Sequence, residues 1–143
     1  MSDSTKPGPL FWVISVLALL WNGAGVMAYL FMTQATPESV AEQYGQAFAD
    51  IFAAKPAWAT GAFAIAVFAG LLGCVALLLR KKWAFTLFVV SLLGVIIHNI
   101  WGVMAGTLSV VGTSDKIMTV AVMVIGIFLI WFARKKTAKG FLT

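Results

Sequence analysis

Long apolar runs alternate with short polar breaks along this chain. Four runs stand out, at residues 10–33, 58–79, 83–106 and 114–133. Crossing a bilayer core takes about 20 mainly apolar residues, with a working range of ~17–25. The first three runs qualify directly, and the fourth reaches that length when counted from Ser114 to Ala133. The runs are continuous, whereas a membrane barrel alternates apolar and polar residues over segments of about ten. The pattern predicts an all-α, integral membrane four-helix bundle forming a single domain. The first connection carries a different period. Thr36 suits a helix N-cap, Pro37 its first turn and Glu38 the positive end of its dipole. Val40, Tyr44, Ala47, Phe48, Ile51 and Phe52 then recur at helical spacing, with Glu42, Gln43, Gln46 and Asp50 largely opposite. This predicts one short amphipathic helix over about 37–54, at the membrane–water boundary or on the mouth of the bundle. It would shield apolar helix ends or act as a lid over a site. Pro56 ends it, and Trp58 anchors the next helix at the interface.

Composition agrees with the pattern. Of 143 residues, 62% are hydrophobic and only 10% charged, against roughly 25% charged in soluble domains. That excludes an ordinary soluble enzyme and a disordered tail. The net charge of +5 raises nucleic acid as a partner, but the placement of the charges argues against it. Lys6, Arg80, Lys81, Lys82, Arg134, Lys135, Lys136 and Lys139 lie in three segments bordering apolar runs. Basic segments in such places set membrane orientation and face the cytoplasm. Both termini and the second connection are therefore expected inside. The other connections, with Lys55, Lys116, Glu38, Glu42, Asp50 and Asp115, are expected in the periplasm or outside. The basic segments also attract anionic lipid head groups. Lys6 before the first run and Val26-Met27-Ala28 within it weakly suggest a cleaved signal. The run exceeds the ~7–15 apolar residues of a signal core, so it is read as a helix.

An internal similarity links the first and third runs. Residues 22–28 and 99–105 share Asn-x-x-Gly-Val-Met-Ala at an offset of 77, and Leu10, Phe11 and Val13 match Leu87, Phe88 and Val90. The alternatives are a duplicated helical hairpin, as in transporters built from parallel repeats, and coincidence in a restricted alphabet.

The chemistry available inside the runs is sparse. No Asp, Glu, Lys or Arg lies deep in a run, although coupled transporters commonly place a carboxylate there. Asn22, His98 and Asn99 are the strongest polar side chains. Ser15, Ala18, Asn22, Gly25 and Tyr29 share one stripe, which should face protein. Gly94, His98, Gly102 and Gly106 follow a four-residue spacing, with Gly102 and Gly106 a GxxxG pair. Ala62, Ala66, Gly70 and Cys74 form another small row. Gly25, Gly70, Gly94, Gly102 and Gly106 are the expected helix-packing positions. Asn22 and Asn99 either join helices by hydrogen bonds or line a patch for a polar solute. His98 is either structural or a site residue able to couple binding to pH. A lone histidine cannot supply the pair of a membrane b-type haem. Trp21 and Trp101 lie deeper than the other tryptophans, and either pack or face a ligand. Cys74 can form neither an internal disulfide nor a zinc site and reads as a packing residue. No catalytic set, phosphate loop or metal cluster is visible, so no enzyme, metal or cofactor is expected.

Leu20-Trp21-Asn22 with Gly25, Tyr29 and Thr33, Pro56-x-Trp58, and Gly70, Gly73, Leu77-Leu78-Leu79-Arg80, Ala84, Phe88 and Ser91 together are specific enough to compare. Over about residues 10–95 the chain resembles small bacterial four-helix inner-membrane proteins labelled as sugar transporters. The resemblance implies that Asn22 and Tyr29 are positions of interest. The expected function is a carrier or facilitator of a small polar, sugar-like solute in the bacterial inner membrane. Asn22, Asn99 and His98 would line its site, with Tyr29 toward the outer mouth. Four helices enclose little volume, so a homo-oligomer is expected. The alternative is an accessory or assembly subunit of a larger membrane complex, docked through its small-residue rows.

Overall fold

The computed structural model describes residues 8–110 and 112–142; Lys6, part of the orientation pattern, lies outside them. Among the described residues the protein is all-α, with no strand. The helices are α1 (Pro9–Gln34), α2 (Pro37–Tyr44), α3 (Gln46–Ala53), α4 (Ala57–Leu78), α5 (Ala84–Ala105) and α6 (Thr113–Ala138), with a 3₁₀ turn at Thr107–Ser109. α1, α4, α5 and α6 are long and apolar enough to cross a membrane.

Helix boundaries follow local chemistry. Thr36 precedes a proline, which favours extended backbone, and it caps α2. Its hydroxyl accepts from Ser39 N at 3.1 Å, while Thr36 N donates to Ser39 Oγ at 3.0 Å. The amphipathic segment is two helices instead of the single one expected. Gly45 stands between them at φ 96°, ψ 160°, backbone that side chains rarely tolerate. The amphipathic period runs straight through this break, which is why periodicity missed it. α6 extends five residues beyond the expected span, to Ala138. Its last turn carries Lys135 and Lys136, which complement the negative helix end. α4 and α6 end alike. Lys81 N donates to Ala76 O and Arg80 N to Leu77 O; Phe141 N donates to Lys136 O and Gly140 N to Thr137 O. Both are Schellman closures, with Arg80 holding the left-handed position (φ 58°) that Gly140 fills in the other.

α4 is the most enclosed helix. Ala59, Ala62, Ala66, Ala69, Gly70, Gly73 and Cys74 are buried along it, so the predicted small row lies in the interior. These small residues let neighbouring backbones come close. A Cβ on Gly94 of α5 would stand 2.7 Å from Ala62 O and 2.9 Å from Ala66 N; one on Gly73 would stand 2.7 Å from the Phe88 ring. α1 lies on another side of α4. Ser15 and Ala18 are buried, and Gly25 faces Val67. α6 packs on α5. α1 and α6 meet at the end of the molecule that holds the Arg80 turn. There Phe11 stacks on Phe132 at 5.7 Å and meets Phe141 edge-on at 6.0 Å. Arg80 Nε donates to Phe141 O at 2.9 Å, tying the C-terminal segment to the α4–α5 turn.

The expected Gly102–Gly106 close-approach pair has other work. Gly106 closes α5 in the left-handed conformation, at φ 84°. A Cβ on Gly102 would meet Thr107 Oγ1, in the turn that follows its own helix. A terminal glycine thus served the chain reversal, which spacing alone cannot tell from a helix contact.

Candidate functional site

Small residues bring α1 and α5 against α4, and α6 is held away from α1 except at the Phe11–Phe132 end. The space left among the four long helices is a cavity of about 430 Å³. α1 contributes Trp21, Asn22 and Gly25; α4 contributes Phe63, Ala66 and Val67; α5 contributes Ser91, His98 and Asn99; α6 contributes Thr119, Val122 and Gly126. Ala24 and Ala28 of α1 and Met118 of α6 also line it and are exposed. The cavity therefore reaches the outer surface between α1 and α6, in the half nearer α2 and α3.

Several polar groups on its walls are already engaged. Asn22 Nδ2 donates to Ala18 O at 2.9 Å and to Cys74 Sγ at 3.3 Å, the second bond joining α1 to α4. Ser91 Oγ donates to Ala66 O, and Thr119 Oγ1 to Asp115 O at 3.0 Å. Among the described residues four polar groups of the lining carry no hydrogen bond: Asn22 Oδ1, the Asn99 amide, Trp21 Nε1 and the second ring nitrogen of His98. Asn22 Oδ1 accepts from no donor among the described residues and fills the gap opposite Gly70, where any Cβ would collide with it. The Asn99 amide has no hydrogen bond among them and borders both the cavity and a shallow apolar groove beside Ile96, Val103 and Met123. The walls are otherwise aliphatic and aromatic.

His98 is the point where the cavity meets the amphipathic segment. Lys55, in the connection after α3, places Nζ 2.8 Å from His98 Nε2. The same ammonium lies 5.0 Å from the Trp101 ring centroid, 5.4 Å from Phe63 and 5.9 Å from Phe52, and donates to Met32 Sδ at 3.7 Å. An ammonium over ring faces is held by cation–π attraction. Burial among these groups pulls Lys55 from its ordinary 10.5 down to about 8. As an ammonium it donates, and a His98 ring that accepts at Nε2 carries its proton on Nδ1.

Asn22, His98 and Asn99, singled out in the sequence, thus converge on one cavity. Tyr29 does not line it; its ring stacks on Phe63 at 5.8 Å and meets Phe68 edge-on, behind the wall. Trp21 lines the cavity, whereas Trp101 is buried under Lys55 and beside His98. Gly25 and Gly70 act as spacers at its edge. Lys55 is the residue that sequence reasoning missed. It counted there only as a connection charge, and its one signal was its place directly before Pro56, at the end of the amphipathic segment. Asn22 and Asn99, the asparagines of the two similar segments, border the same space but bond differently, Asn22 joining α4 and Asn99 remaining open. Compared with family models, curated proteins and solved structures, the chain matches none.

Proposed function

We propose that this is an integral membrane protein, with both termini on the cytoplasmic face of a bacterial inner membrane, that binds a small solute in its cavity and carries it or facilitates its passage. The cavity among the four long helices is the observation that carries the reading. Its volume falls in the ~300–1,000 Å³ range of small-ligand sites. The segregation of Arg80, Lys81, Lys82, Arg134, Lys135, Lys136 and Lys139 to one end supports the orientation. Probes reacting with single introduced cysteines should label the α2–α3 connection from outside intact cells and the C-terminal tail only after permeabilisation, in a Cys74→Ala background. Labelling of both from the same side overturns the topology.

The walls narrow the solute. A sugar presents many hydroxyl groups, while Asn22 Oδ1, the Asn99 amide and the Trp21 indole N–H are the side-chain groups left open beside His98. A mainly apolar molecule with one or two polar groups suits them better than a sugar does. The opening between α1 and α6 would face lipid, a route such a molecule can take.

A panel of neutral, anionic and sugar solutes should separate binders from non-binders by their effect on unfolding of the purified protein in nanodiscs. A solute at about 100 times its Kd adds about 2.7 kcal/mol to stability. Ala28→Trp, which fills the opening, should abolish that gain, and uptake into liposomes should fall when Asn22 and Asn99 become Leu. A panel in which nothing stabilises the protein, or in which Ala28→Trp responds equally, removes the cavity as the site. The accessory-subunit reading draws on the shallow α5–α6 groove, where the open Asn99 amide suits a partner helix. A stoichiometric larger partner retained in mild detergent would favour it.

A further inference from the structure

Lys55 reaches in among the helices from the α3–α4 connection and stops at Phe63 and His98, two residues of the cavity wall. Its surroundings are neutral. Phe52, Phe63 and Trp101 offer ring faces, Met32 a sulfur and His98 a ring nitrogen. His98 is the titratable group in contact with it. Among the described residues no carboxylate pairs with Lys55, Glu38, Glu42 and Asp50 of the nearby α2 and α3 included. Removing a charge from water is costly unless an opposite charge compensates it. Cation–π contacts compensate only partly. The molecule thus keeps an ammonium without a counter-ion against one wall of an apolar cavity, where a ligand can supply the missing charge.

We propose that the cavity takes an organic carboxylate on a mainly apolar body, its anionic group accepting from His98 and attracted by the charge of Lys55, which stands behind the lining on the other ring nitrogen. This rests on the solute-binding reading above and names the class of solute. Lys55 supplies the charge and fixes the His98 tautomer; His98 borders the cavity and has its Nδ1–H to donate to a carboxylate oxygen. The apolar body lies against Val67, Val95, Val122 and Ile125, and its outer end reaches the opening at Ala28 and Met118. The ammonium is lost as pH rises through about 8 in the unliganded protein. Preference for the anion must therefore be strongest below that pH and decline above it.

The test uses the full chain in phosphatidylcholine nanodiscs and two probes of nearly equal shape, 1-naphthaleneacetate and its neutral amide 1-naphthaleneacetamide. Calorimetry should find the acetate bound about tenfold or more tightly than the amide near pH 6.5. The advantage should shrink at pH 9.5 and above. Lys55→Met should bind both probes with the affinity of the amide, while Lys55→Arg should keep the anion preference. Circular dichroism checks that both variants are folded; if the Met variant is not, Lys55→Arg decides, since it should keep the preference at pH 9.5, where the unaltered protein loses it, and a preference that falls equally in both overturns the role of Lys55. Equal binding of the two probes by the unaltered protein overturns the carboxylate class and leaves the solute-binding reading intact. So does binding of neither probe while other solutes of the panel still stabilise the protein in an Ala28-dependent way. If no solute does so, both readings fall. An anion preference that survives in Ala28→Trp places the anion elsewhere and overturns the assignment to this cavity.

Discussion

Gly94→Val is expected to lower stability by about 3 kcal/mol or more, the upper range for forcing volume into a packed interior. The cause is the neighbour it would meet. At Gly94 a Cβ would stand 2.7 Å from Ala62 O and 2.9 Å from Ala66 N. These are backbone atoms of α4, which cannot swing aside as a flexible side chain does. α5 would have to move away from α4, and Ala62, Ala66, Phe63 and His98 would lose their register with it. Gly61→Ala is the matched control, because nothing lies within 4 Å of its Cβ position. Alanine is favoured over glycine in a helix by about 0.8–1 kcal/mol in peptides, so this variant should be neutral or more stable. Unfolding in mixed micelles, followed by circular dichroism, gives both midpoints. Coincident midpoints for the two variants would mean that α4 and α5 do not cross at Gly94.

Phe11→Ala is expected to cost about 2 kcal/mol. Burying Phe in a soluble core is worth about 3–5 kcal/mol against Ala. In lipid the gain from leaving water is absent, and the contacts themselves carry the difference. Phe11 is 2% exposed and touches Phe132 and Phe141. These rings are the place where α1 meets α6. Leu10→Ala, at a side chain 68% exposed, should stay within about 0.5 kcal/mol of the unaltered protein. A cycle with Phe132→Ala should return a coupling of about 1 kcal/mol, the usual range for aromatic pairs. No measurable coupling would contradict the closure of α1 on α6, and with it the shape of the cavity.

Much of this architecture is legible along the chain. Run length marked the four long helices within a few residues, since hydropathy is a property of consecutive positions. Thr36 and Pro37 marked the start of α2, since capping is local. The row Ala62, Ala66, Gly70 and Cys74 is buried, as expected of small residues at four-residue spacing. Gly45 was not legible. Its backbone angle interrupts a helix whose side-chain pattern continues on both sides. Gly102 and Gly106 were ambiguous for a related reason, because glycine serves close packing and chain reversal equally well.

The candidate site divides the same way. Asn22, His98 and Asn99 drew notice because polar side chains in apolar runs are expensive. That rule says where a cost exists and leaves open which atom remains free. Asn22 Nδ2 is used by Ala18 and Cys74 while Oδ1 is open, a distinction made by the position of α4. Tyr29 lay on the protein-facing stripe as expected, yet Phe63 stands between it and the cavity by the register of α1 on α4.

The order of residues alone determined the number of long apolar helices, the location of the amphipathic connection and the clustering of positive charge. Each depends on neighbours in the chain and survives any arrangement in space. The three-dimensional arrangement decided the closure of α1 on α6, the cavity this leaves, and the seat of Lys55 over His98, 43 positions away. A lysine in a connection looks solvated until aromatic side chains from three different helices surround it. Its electrostatics are set by what withdraws it from water, and only the assembled helices supply that.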